Sequence, residues 1–152
     1  MNWKNLAIAA VAFTILDLVA NTVGAIGTMS YYTDPANSAL WSKLMMPGPA
    51  PPPAEFYLVS IIITFITGLI FAYAYVITRH AFAGKRSFRA DRQWEVGAKF
   101  GVFLFLISTL PGMVSIYLLF AVPFGLVVGW IVQGFVPNVL TGVIFSKIIK
   151  SD

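Results

Sequence analysis

Four long apolar runs decide what this chain can fold into: residues 5–27, 56–78, 100–120 and 124–146, each 21–23 residues long. A helix rises ~1.5 Å per residue, so runs of this length cross a hydrocarbon core of ~30 Å. An open strand would leave backbone groups unpaired in lipid. Barrel strands are ~10 residues long and alternate in polarity, and these runs do not alternate. The expectation is an all-α membrane protein, an antiparallel four-transmembrane-helix bundle forming one integral membrane domain over 1–152. Composition agrees. The chain is 59% hydrophobic and 11% charged, with mean hydropathy +0.83. A soluble domain carries about 25% charge, and disorder needs far lower hydrophobicity.

Lysine and arginine placement sets the expected orientation. The segment 79–96 and its borders carry Arg79, Lys85, Arg86, Arg89, Arg92 and Lys99. Lys4, Lys147 and Lys150 lie near the two ends. These all fall on one side of the bilayer, against Lys43 alone on the other. Both termini and the 79–96 loop are therefore expected on the cytoplasmic side of the membrane, in contact with anionic lipid. Nucleic acid is not an expected partner. The 28–55 segment is expected outside. Lys4 and Val23-Gly24-Ala25 also fit a cleaved signal peptide, but the apolar run exceeds the usual h-region of ~7–15 residues and holds Asp17 near its middle.

Within the 28–55 segment, Leu40, Trp41, Leu44 and Met45 fall at helical spacing, which predicts a short interfacial helix over 38–46. Tyr31, Tyr32 and Trp41 fit an aromatic belt. The run Pro47-Gly48-Pro49-Ala50-Pro51-Pro52-Pro53 predicts an extended, polyproline-like spacer, and such a spacer also serves as a docking surface. On the cytoplasmic side, residues 89–95 are expected to open the third helix ahead of its apolar run.

Small and polar residues lie in stripes at ~100° per residue. The first run places Thr14, Asp17, Asn21, Gly24 and Thr28 on one side. The second places Ser60, Thr64, Thr67, Gly68, Tyr75 and Thr78 together, and the third Gly97, Gly101, Ser108, Gly112 and Ser115. Close helix contact favours such residues over lipid tails. Gly97, Gly101, Gly112, Gly125 and Gly129 are thus expected at helix seams. Pro111 is expected to bend the third span. Pro137 frees the Gln133 carbonyl, with Gln133 and Asn138 flanking the break.

Asp17 is the one formal charge deep in a span. Burying a charge at mid-bilayer costs ~2.5–3.5 kcal/mol on insertion scales. Asp17 is therefore expected to be protonated, hydrogen-bonded or in contact with water, with Thr14 and Asn21 one helical turn to either side. Asp17, Asn21, Thr14, Gln133 and Asn138 form the candidate intramembrane polar site. An enzyme is not expected, because acid–base chemistry needs a second titratable group in reach. No cofactor or metal is expected either. The chain has no cysteine, and His80 is its one histidine.

These residues resemble a group of small bacterial inner-membrane proteins of unassigned activity. The resemblance rests on Leu16-Asp17, on Leu40-Trp41 after Tyr31-Tyr32, on Gly97-x3-Gly101, and on Pro123 before Gly129-Trp130. The chain departs from the group in its 47–53 run, and in Asn21 where the group often has His. The resemblance implies four-helix topology and a bacterial origin. Two functions stay open. One is a small accessory or structural subunit that binds a membrane-protein partner. The other is a homo-oligomeric, proton-linked small-solute transporter or channel using Asp17. The single buried charge and the lack of a repeat favour the first.

Overall fold

A computed structural model describes residues 2–46, 52–83 and 92–149. Among the described residues every regular element is helical. In chain order these are α1 (Trp3–Gly27), α2 (Met29–Thr33), a 3₁₀ helix (Pro35–Leu40), α3 (Ala54–Phe82), α4 (Gln93–Leu104), a π-helical turn (Phe105–Thr109), α5 (Leu110–Leu119) and α6 (Phe124–Ile148). α4, the π turn and α5 run on as one rod. Four helices are thus long and apolar enough to cross a membrane: Trp3–Gly27, Ala54–Phe82, Gln93–Leu119 and Phe124–Ile148.

Local chemistry sets the helix ends. The Asn2 side chain accepts the Lys4 amide at 3.1 Å, satisfying one of the donors left free in a first turn. Pro53 and Pro123 precede α3 and α6, where the missing N–H is not needed. Glu55 opens α3 while Arg79 and His80 close it, matching the helix dipole at both ends. Gln93 starts the third long helix seven residues before the apolar run at 100.

The interfacial helix expected over 38–46 does not form. Asp34 accepts the Ala36 amide at 2.9 Å, and with Pro35 it starts a 3₁₀ helix earlier in the chain. Trp41 is extended. The Ser42 hydroxyl then takes the Met45 amide at 3.1 Å, a local bond that competes with helix. Leu40, Trp41, Leu44 and Met45 therefore share no helical face. Residues 47–51 and 84–91, which hold most of the proline run and the basic loop, lie outside the described residues.

Packing is concentrated at one end. Leu6, Phe13, Ala72, Tyr75, Phe100 and Phe145 form the heart of the buried cluster, with Phe82 and Ile148 against it. Tyr75 meets Phe100 edge-on at 5.1 Å, and Phe100 meets Phe82 at 6.0 Å. The chain ends of α1 and α6 thus share a core with the last turns of α3 and the first turns of α4. Toward the other end α3 and α5 part, while α1 and α6 stay in contact. The buried residues of α1 stop at Thr14, and α5 has none. α3 packs on α1 and α4 but hardly touches α5.

The tightest seam joins α4 to α6. A Cβ at Gly97 would collide with the Gly142 carbonyl, and one at Gly101 with the Asn138 carbonyl. Gly112, expected at a seam, meets nothing within 4 Å. The π turn is the reason. It inserts extra backbone into the rod, rotating everything after it out of phase with Gly97 and Gly101. Gly125 and Gly129 accommodate the Tyr31 hydroxyl and the Thr28 methyl, respectively. Their close neighbours belong to the segment that follows α1 and to its cap, not to a facing span.

Candidate functional site

Most hydroxyls in the spans bond back within their own helix. Thr14 donates to the Ala10 carbonyl at 2.9 Å, Thr22 to Leu18 at 2.8 Å, Ser60 to Phe56 at 2.7 Å, Thr67 to Ile63 at 2.9 Å and Thr78 to Ala74 at 2.8 Å. This satisfies each of these groups without a neighbouring helix. Helix-to-helix bonding in the mid-span falls instead to the amides. The Gln133 amide of α6 donates to the Asn21 carbonyl oxygen of α1 at 2.7 Å. The Asn21 amide donates to Asp17 Oδ2 at 2.8 Å. Thr64 of α3 faces the same carboxylate. Three helices therefore converge on one acid.

Backbone shape makes this chain of bonds possible. Residues 17, 21 and 24 lie at i, i+4 and i+7, on one side of α1. A Cβ at Gly24 would overlap the Gln133 side chain, so a bare backbone there lets Gln133 lie across α1. A second link lies nearby. The Asn138 amide donates to Thr109 Oγ1 at 2.9 Å and to the Gly134 carbonyl at 2.7 Å. It ties α6 to the π turn. Pro137 sits within this stretch, and α6 runs through it.

These groups line one cleft of about 460 Å³. α1 contributes Asp17 and Asn21 with Phe13 and Ala20. α6 contributes Gln133 and Asn138 with Trp130 and Pro137. Thr67 and Phe71 of α3 stand on one flank, and Ser108, Thr109, Met113 and Ile116 of the third span on the other. The cleft fills the gap where α3 and α5 part. Its lining holds one carboxylate and no Lys, Arg or His. Among the described residues no group of three His, Cys, Asp or Glu gathers that could hold a metal.

Of the five candidate polar residues, the structure brings four into this cleft. Thr14 stays apart, buried one turn below with its hydroxyl engaged at Ala10. Sequence reasoning missed Thr109, Trp130, Phe71 and Gly142. Gly142-x3-Ser146 is a small-xxx-small pair that pointed to the α6 seam. Thr109 carried no such signal, because its direction depends on the π turn.

The segment after α1 packs against Trp130, one of the residues that line the cleft. Trp130 Nε1 donates to the Tyr32 hydroxyl at 3.0 Å, and Trp41 lies over Tyr32 at 4.8 Å. Asn37 donates to the Tyr31 carbonyl at 3.0 Å. Tyr31 and Tyr32 are thus folded against α6. Comparison with protein families, with characterised proteins and with solved structures finds no match. The resemblance to the small bacterial proteins accordingly stands on its short motifs.

Proposed function

We propose that this chain is a four-span protein of a bacterial cytoplasmic membrane that binds a small solute in its intramembrane cleft and moves it in a proton-linked way through Asp17. Both ends lie in the cytoplasm and neighbouring spans run antiparallel, on the strength of the lysine and arginine distribution. The observation that carries the reading is the convergence of Asp17, Asn21, Gln133 and Asn138 on one open cleft. Its volume falls within the ~300–1,000 Å³ of ordinary ligand sites. Ionisable groups inside a membrane commonly mark a substrate or proton path. One carboxylate without an acid–base companion suits binding and relay rather than catalysis.

Native mass spectrometry of the full chain from mild detergent tests this. The expected result is a small-molecule adduct on wild type that Thr67→Trp, which fills the cleft, removes. A second reading is an accessory subunit whose partner lays a helix in the same gap, and one observation favours it. Among the described residues α5 buries none of its own, and Leu118 and Leu119 are 75% and 76% exposed. A bare chain that instead retains a second protein would replace the first reading with this one.

A further inference from the structure

We infer that the ligand of the cleft is an amphipathic organic cation, held with Asp17 as its counter-ion. This inference rests on the reading of the cleft as a solute site and names the class of solute. Three features carry it. First, the charge of the lining is one-sided, with Asp17 its only formal charge. An anionic ligand would meet no cation there, and a neutral polar one would leave the charge of the carboxylate without a counter-ion. Second, the carboxylate is held as an acceptor. The donor of Gln133 points to Asn21 and that of Asn21 to Asp17 Oδ2, with Thr64 facing from α3. The amides thus orient the acid, with one N–H of each side chain engaged in this chain of bonds. Third, the walls are aromatic. Phe13, Phe71 and Trp130 line the same space. Ring faces attract cations by ~0.5–2 kcal/mol and offer apolar area to the body that carries the charge.

The path of entry has the same character. The gap lies between α3 and α5, whose exposed faces are apolar. A molecule with an apolar body and one positive charge collects at the bilayer surface, and from there it can enter sideways.

Isothermal titration of the full chain in lipid nanodiscs tests the inference with three probes of like size. These are tetraphenylphosphonium, the neutral triphenylphosphine oxide and the anion tetraphenylborate. The expected outcome is one saturable site per chain for the cation, with both others at least tenfold weaker. Asp17→Asn should weaken the cation at least tenfold, and Thr67→Trp should abolish its binding. Asp17→Glu keeps the charge and should stay within a few-fold of wild type, which covers the case in which Asp17→Asn fails to fold. Equal binding of the neutral or anionic probe, lost in Thr67→Trp, would overturn the cation class and leave the cleft site standing. A cation affinity unchanged in Asp17→Asn would remove Asp17 as counter-ion. Saturable binding of none of the three would also overturn the inference. Whether the cleft holds any solute would still be read from the mass-spectrometric adduct.

Discussion

At the scale of the residue, the amide–acid chain does what the hydroxyls do not. Gln133 and Asn21 connect α6 to α1, while Thr14, Thr67 and Thr78 bond within their own helices. Interhelical bonds in membranes average ~0.6 kcal/mol and reach ~1.7 kcal/mol. A double-mutant cycle of Asn21→Leu and Gln133→Leu should therefore show a coupling of about 0.6 kcal/mol in detergent unfolding. Strict additivity of the two would mean that no bond links them in solution. Thr109→Val should cost less than either, because Asn138 keeps the Gly134 carbonyl as an acceptor. Gly24→Val should behave like a Gln133 variant, since the added methyls occupy the place of that side chain. Matching thermal losses in Gly24→Val and Gln133→Leu, measured by circular dichroism, check this. Asp17, Asn21 and Gln133 were legible in the sequence because polar groups are rare in such runs. The reach of Asn21 to Asp17, one turn along α1, was legible too; the link to Gln133 was not, because it depends on the close approach of α1 and α6 at Gly24. Thr14 misled for a local reason. At i−3 from Asp17 it could reach the acid, yet the nearer Ala10 carbonyl engages its hydroxyl.

At the scale of the element, the third span is divided by its π turn into a packed half and an open half. Gly97 and Gly101 face α6 with backbone against backbone, and Gly112 faces nothing. Gly97→Leu or Gly101→Leu should each destabilise the chain by about 1–3 kcal/mol or more, as overpacking does. Gly112→Leu should fall within about 0.5 kcal/mol of wild type, as surface changes do. Unfolding titrations of the three variants decide it, and an equal loss at all three positions would contradict the division. That four helices are long and apolar enough to cross a membrane was readable from apolar length alone. The phase of the third span was not. A uniform 100° repeat places Gly97, Gly101 and Gly112 on one stripe, and one wide turn between them breaks it. Pro111 hinted at an irregularity but gave neither its kind nor its place. The 38–46 segment failed in the opposite sense, with helical spacing that Asp34, Pro35 and Ser42 override.

At the scale of the whole molecule, topology and shape are separate questions. The sequence has no cysteine, so single introduced thiols report sidedness cleanly. Lys43→Cys should react with a membrane-impermeant maleimide from outside the cell. His80→Cys and Lys147→Cys should react only once the membrane is opened. Labelling of Lys43→Cys and His80→Cys from one side would end the proposed orientation. Nothing in the apolar runs tells that the rings of Tyr75, Phe100 and Phe145 gather at one end while α3 and α5 separate at the other. That division has a mechanical consequence. The hydroxyls of Ser60, Thr67 and Thr78 are all satisfied along α3 itself. Moving the tip of α3 away from α5 ruptures none of those bonds, because the two helices scarcely touch. The gap between them can thus widen while the ring contacts of Tyr75 with Phe100 and Phe145 hold the other end.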